Sequence, residues 1–488
     1  MQRSRCTSST TMYLAVLFLL GAAQAVAAKG DPPSRVARLA EIAGDVSLEP
    51  AGTNQWTQAV DNTPLTTGDR LYVDRNGRAE LQMGQLGARA WQYTDLVLVD
   101  LTGNTMQLGL SQGSLHVRTF ALNSGSKVEI DTPNGAITVE QPGDVRLDAY
   151  TSDGGTLVTV DSGEVVVSGR GVSRFLGAGE SAHLVGSNPT TLISQRMPGK
   201  DPFDVWSGGL DRKFLSSQAR RYVNPNTIGF DDLDKNGTWV QTPGYGPVWY
   251  PAGVPAEWVP YSRGRWAWIE PWGWTWVGAD RWGFAPFHYG RWVRTRSRWG
   301  WVPGPVRAAP IYSPAMVGFV GGAGISTGGR VPLAAWYPLG PGEPFYPGYF
   351  CSPDYFTQVN LTNIRSASVL PKNVNAANYY RYYHSRLILD RLRYVHRRTG
   401  TIAIPADEFA AGHVITPATA VHLSAQQWLH ARMLPHPLVA PTLQSVVPRP
   451  VSSVSVPAER PVVSRAQATA AAGAQAAASG SSDSEHYF

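Results

Sequence analysis

The chain has 488 residues, of which 43% are hydrophobic and 10% aromatic, and its formal net charge is +6. That length exceeds what a single core supports, so two or more folded units with linkers are expected, and the 50 Gly and 37 Pro disfavour long helices over much of it. With only two cysteines, Cys6 and Cys351, a disulfide-stapled scaffold is excluded and stability must come from hydrophobic and aromatic cores.

Residues 1–28 read as a secretory signal. Arg3 and Arg5 give a positive start, Met12–Ala23 an apolar run, and Ala25-Val26-Ala27 the small residues that precede cleavage. The run falls short of a full membrane span, which disfavours the alternative of an uncleaved anchor. Cys6 lies before the apolar run, which closes the lipoprotein route, and it leaves with the signal. A periplasmic or secreted location follows, with no transmembrane span after cleavage. Cys351 then has no partner and no neighbouring Cys-His signature, so a nucleophilic role is disfavoured.

From 35 to 190 the pattern is short β segments, among them LVLVDL (96–101), KVEIDT (127–132), AITVEQ (136–141) and EVVVSG (164–169), punctuated by turns such as RNG, PNG, PGD and DSG. No amphipathic helix intervenes, so a β-sandwich or a wound β domain is expected rather than a βαβ fold. In KVEIDT the alternation places Val128 and Ile130 inside and Lys127, Glu129 and Asp131 on the other face. The ordered set AEIAGDVSLEPAG, PLTTGDRLYVDRNGRAELQMG, LSQGSLHVR and VEIDTPNGAITVEQPGDVRLDAY resembles the FecR domain of bacterial envelope proteins. The resemblance implies an extracytoplasmic module. The best-known members of that family are inner-membrane sensors whose cytoplasmic segment acts on a sigma factor. Here only eleven residues precede the apolar run, so the signalling activity does not carry over.

Residues 200–225 form a helical connector in which Phe203, Trp206, Leu210 and Phe214 make one apolar stripe, weakened at Gly208-Gly209. DLDKNG (232–237) starts like a calcium loop, but Pro243 stands where a bidentate Glu is needed, so a turn or cap is expected. The next unit, 236–350, is rich in tryptophan, with twelve of the seventeen Trp between Trp239 and Trp301. GRWAWIEPWGW (264–274) returns as GRWVRTRSRWGW (290–301), with a degenerate copy in GTWVQTPGYGPVW (237–249). These copies predict repeated β-hairpins turning at EPWG and RSRWG. Trp272, Trp274 and Trp276 are expected on one strand face, with Gly273 opposite to admit another backbone. YGPVWYP, WVPYSRGRWAW, PWGWTWV, RWGFAPFHYGRWV, RWGWVPG and WYPLGPGEPFYP resemble an uncharacterised domain found after FecR domains in bacterial envelope proteins. That family implies a fold and a compartment but no catalytic residues.

Eight arginines against Glu270 and Asp280 give the stretch 261–307 a charge of +6. Indole faces stack on sugar rings and Arg grips carboxylate or phosphate, so Trp266, Trp272, Trp274, Trp276, Trp282, Trp292, Arg265, Arg281 and Arg291 are candidate ligand residues. The competing and favoured reading makes most of these rings core. Glu257, Glu270, Asp280 and Glu343 are the carboxylates available for acid–base chemistry, and no spacing pairs them. His288, between Phe287 and Tyr289, reads as a packed ring; no metal, cofactor or nucleotide motif is present. Residues 351–440 read as a mixed extension, in which 379–398 forms a helix with some of Leu387, Leu389 and Leu392 inward. Residues 441–488 read as a disordered Pro/Ala/Ser tail. The expected protein is mainly β, exported and non-catalytic. It acts as an envelope scaffold or binds a glycan or anionic polymer, not nucleic acid. A sensor-type partner of another envelope protein is the alternative, and a glycan-active enzyme comes third.

Overall fold

The structure is a computed structural model that describes residues 30–150, 153–322, 325–327, 331–365, 374–385, 389, 393–451, 454 and 456–470. The signal expected at 1–28, Leu387, Leu392 and the chain end 471–488 lie outside the described residues.

β-branched and leucine-rich segments between Ala37 and Gln195 pair into one continuous wound sheet of fifteen strands. Its interior is aliphatic, with Leu71, Leu81, Leu96, Ile130, Ile137, Leu147, Val160 and Leu184 all buried. Strand Thr191–Gln195 forms one edge, and four of its five residues are exposed. In strand Lys127–Thr132 the expected solvent face is covered: Glu129 and Asp131 are buried beside Val128 and Ile130. The cover is the C-terminal segment, whose Val463 bridges Thr132 and whose Arg465 N–H donates to Glu129 Oε1 at 3.0 Å. Desolvation there pushes the Asp131 carboxyl up to about 7.

The connector folds as helix Pro202–Ser216, capped by Asp201, which accepts from the Phe203 and Asp204 backbone N–H groups. The expected stripe packs onto the wound sheet: Phe203 stacks on Trp91 at 5.1 Å and Phe214 on Phe120 at 4.1 Å. The Gly208-Gly209 pair does not break the helix. Tertiary bonds hold it there, with Arg89 Nη1 donating to Ser207 O and to Asp211 Oδ1. DLDKNG is the expected turn: a short helix, Leu233–Asn236, leads directly into a strand at Gly237, and Asp234 caps the preceding turn by accepting from Gln218 N and Ala219 N.

Three hairpins follow: Gly237–Thr242 with Gly246–Pro251, Gly264–Ile269 with Gly273–Gly278, and Arg291–Thr295 with Arg298–Val302. In each, the Trp two places after the repeat glycine faces a Trp across the ladder: Trp239 with Trp249, Trp266 with Trp276, Trp292 with Trp301. The glycine itself lies under the partner's indole. A Cβ on Gly237 would sit 2.4 Å from Trp249 Cε2, one on Gly264 2.6 Å from Trp276 Cζ2, and one on Gly290 2.6 Å from Trp301 Nε1. The Gly-x-Trp repeat is therefore a packing motif, in which a missing side chain makes room for an indole. The first and third hairpins join into a four-stranded sheet through Trp249 and Trp301, and the second stands alone.

The stretch expected as a separate extension is part of the same unit. Strands Ile402–Pro405 and Arg432–Leu434 complete a sheet with Val317–Gly321 and Val331–Pro338. Helix Ala376–Ser385 covers part of the expected helical stretch, and Leu389 is buried. Of the tail expected to be disordered, the described part docks: Pro450 bridges Thr57, and Arg460 donates to Tyr150 O and Gly154 O of the wound sheet. Backbone hydrogen bonding of this kind needs no apolar periodicity, so composition gives no sign of it.

Candidate functional site

The six candidate tryptophans are core, not surface. Trp266, Trp272, Trp274, Trp276, Trp282 and Trp292 are each at most 7% exposed. Most of their ring contacts are edge-to-face or tilted, as in Trp266 on Trp276 at 5.4 Å and Trp266 on Trp336 at 5.5 Å, while Trp266 also stacks on Phe409. Trp292 Nε1 donates to Pro286 O and Trp274 Nε1 to Val439 O, both at 3.0 Å. Trp272 does not share a strand face with Trp274 and Trp276. It sits in the turn and meets Tyr312 edge-on at 5.1 Å. Gly273 admits an indole rather than a backbone, since its Cβ would lie 3.1 Å from the Trp268 ring.

The candidate arginines separate. Arg291 is buried and bonded to neutral acceptors: Glu343 O at 3.0 Å, Gly290 O at 2.9 Å and Asn360 Oδ1 at 3.1 Å. Burial pushes its pKa down to about 10. It staples the third hairpin to helix Pro353–Leu361 and is no surface ligand residue. Arg281 reaches toward Glu41 and Asp61 of the wound sheet, both at 3.8 Å, and so belongs to the contact between the two units. That contact is polar: Arg38 donates to Arg281 O at 2.8 Å and pairs with Asp232 at 2.6 Å, while Asn62 donates to Gly278 O and Asp280 O. Arg265 is half-buried and borders a cleft. Arg294, Arg296 and Arg298, at the tip of the third hairpin, are exposed.

The four carboxylates do not gather. Glu343 is buried and accepts from Gly340 N at 2.6 Å and Val395 N at 2.5 Å, and desolvation raises its pKa to about 7. Asp280 pairs with Arg263 at 3.1 Å and Glu270 accepts from Trp268 Nε1 at 2.9 Å. These two lie beyond opposite ends of a six-residue ladder that alone spans roughly 17 Å at the usual strand rise. Glu257 is exposed. His288 is a packed ring whose Nδ1 lies 2.8 Å from Ser313 O, and burial lowers its pKa to about 3. Burial pushes the Cys351 thiol up to about 12, which leaves it protonated and unreactive at neutral pH.

A cavity of about 290 Å³ lies at the free end of the second hairpin. Its walls are Trp268, Trp272, Trp274, Phe345, Tyr349 and the segment Pro435–Val439. Trp268 stands edge-to-face on Trp274 at 5.6 Å, and its half-buried ring borders the opening. Two candidate residues, Trp272 and Trp274, thus line this cavity. The others that shape it were missed by sequence reasoning. Trp268 could have been found from its alternation with Trp266; His436 and Pro437, also in the wall, carry no local signal.

Among the described residues, no group of three His, Cys, Asp or Glu side chains could hold a metal ion, and no helix is long and apolar enough to cross a membrane. No curated protein matches the chain. A solved structure of a provisionally assigned anti-sigma factor from Parabacteroides distasonis ATCC 8503 is similar over 26% of this chain and 59% of its own length, at 14% identity and a TM-score of 0.24. A second structure of that description, at 2.50 Å resolution, gives 15% identity with the same coverage and TM-score. Residues 230–343, which hold all three hairpins and end at Glu343, match the model of a family of unknown function, DUF6600.

Proposed function

We propose that this is an exported, non-catalytic binding protein of the bacterial envelope that takes a sugar ring of an envelope glycan into the cavity at Trp268. One observation carries the reading: a concave space of about 290 Å³ walled by three indoles, Phe345 and Tyr349, with His436 as a polar group. Flat aromatic walls with few polar groups suit the apolar face of one pyranose ring. The described wall residues include no carboxylate, which favours binding over hydrolysis. The exposed cations Arg294, Arg296 and Arg298 would draw in a polymer of negative charge.

Calorimetric titration of the mature protein with soluble peptidoglycan fragments and neutral oligosaccharides tests this. Wild type binds at least one of them, and Trp268→Ala binds it at least tenfold more weakly while melting within a few degrees of wild type. Absence of binding to every fragment, or equal affinity in Trp268→Ala, refutes the proposal. A second reading, a regulatory partner of another envelope protein, draws on the open edge at Thr191–Gln195, where an incoming strand could pair. Ile193→Pro would block that pairing without touching the cavity, so loss of a crosslinked partner in this variant alone would favour it.

A further inference from the structure

The repeat supplies an internal comparison. Arg265 in Gly264-Arg265-Trp266 and Arg291 in Gly290-Arg291-Trp292 occupy the same place in two hairpins, each on the strand face opposite its Trp. Arg291 is satisfied by carbonyl and amide oxygens. Among the described residues Arg265 Nη1, by contrast, is buried without a hydrogen-bond acceptor. The charge that acts on it is a like charge, Arg449, and burial together with that repulsion pushes its pKa down to about 10.

Arg265 lines a cavity of about 90 Å³ between the second hairpin and the wound sheet. Ala267 and Ile269 continue its wall, Pro50 and Thr66 face it, and Val446 and Pro448 close it. Two carboxylates also border the space, and both are occupied. Asp69 accepts from Ala51 N and Thr66 N at 2.8 Å each, and Glu270 is bonded to Trp268 Nε1. A half-buried arginine whose Nη1 is shut off from water without an acceptor is an arrangement that a chain rarely leaves unfilled, because an unpaired charge out of water is costly.

We infer that the cleft at Arg265 is an anion site that takes one carboxylate or phosphate group, held by the Arg265 guanidinium. The volume admits such a group but not an oligosaccharide. Planar bidentate geometry suits either oxyanion. Trp268 borders both cavities, but the inference uses a different charged group and is tested with ligands that have no sugar ring.

The test is titration of the full mature chain with inorganic phosphate and, separately, with acetate. It is read by calorimetry and by the melting temperature at constant ionic strength. Wild type binds one of them saturably, and which one distinguishes a phosphoryl from a carboxylate ligand. Arg265→Met binds that anion at least tenfold more weakly and, without anion, melts no lower than wild type, since it removes an unpaired charge. Arg265→Lys is intermediate because it loses the fork. Arg294→Met, which removes an exposed cation, binds like wild type. Failure of both anions to bind wild type overturns the inference, as does equal affinity in Arg265→Met or an equal loss in Arg294→Met.

Discussion

If the Gly-x-Trp repeat is a packing device, adding one methyl group at Gly264 must be expensive for two separable reasons. The residue has φ of +152°, a region all but reserved for glycine, where a side chain costs about 1–3 kcal/mol. Its Cβ would also lie 2.5 Å from Val277 O and 2.6 Å from the Trp276 ring, and overpacking of that kind adds about 1–3 kcal/mol. The sum for Gly264→Ala is roughly 3 kcal/mol, which for a unit of this size lowers the melting temperature by about 6–12 °C. Near-UV circular dichroism follows the indole cluster directly and is the assay of choice. Two controls separate the causes. Gly253 has φ of +69° with nothing within 4 Å of the added carbon, so Gly253→Ala should lose only the backbone share, about 1–2 kcal/mol. Gly208 lies within helix Pro202–Ser216 and the nearest atom to its Cβ is Arg212 Nη1 at 3.6 Å, so Gly208→Ala should gain about 0.5–1 kcal/mol. If Gly264→Ala melts like Gly253→Ala, the indole contact carries no energy and the account of the repeat fails.

Two further outcomes test local parts of the same unit. The turn of the third hairpin is Arg296-Ser297, both with positive φ, +47° and +65°. This turn type favours Asn-Gly, so Arg296→Asn with Ser297→Gly should raise stability by about 0.5–1 kcal/mol in chemical denaturation; a loss would show that the two side chains contribute contacts of their own. Glu343 has its folded pKa raised from 4.5 to about 7 by desolvation. The folded state therefore holds a proton that the unfolded state has released, and stability present below pH 4.5 declines as pH rises through 7. The decline is at most about 3 kcal/mol, and Glu343→Gln should flatten the slope of melting temperature between pH 5 and 8, whereas an unchanged slope would assign the pH dependence elsewhere.

Periodicity in the sequence located the strands and the three hairpins, because a Gly, a paired Trp and a turn residue are local signals. It could not tell inside from outside in the second hairpin. Trp274 and Trp276 are buried, but so is Thr275 between them, and a strand covered on both faces has no polar side for alternation to reveal. The covering comes from far along the chain: Phe409 packs on Trp266 and Trp274, and Val439 accepts from Trp274. Glu129 and Asp131 show the same limit in the wound sheet, where Arg465 reaches an alternating strand that reads as solvated. The cavity was half legible for this reason. Trp272 and Trp274 stand out by composition, while His436 and Pro437 enter the wall only through a long-range fold.

The arginines show where functional difference can arise within a repeat. Glycine and tryptophan at positions one and three of Gly-x-Trp are fixed by the indole contact, so they must recur wherever the hairpin recurs. The residue between them points to the other face, and that face differs in each copy. In the third hairpin it meets Asn360 and the Glu343 carbonyl, and Arg291 becomes a staple. In the first it is Thr238, exposed and uncharged. In the second it meets the gap between the two units, where Arg265 Nη1 has no acceptor among the described residues. A cation kept in that position is not needed by the hairpin, since Thr238 shows that the motif forms without it. The hairpin fold therefore gives no reason for a cation in that cleft, whereas the inferred anion does.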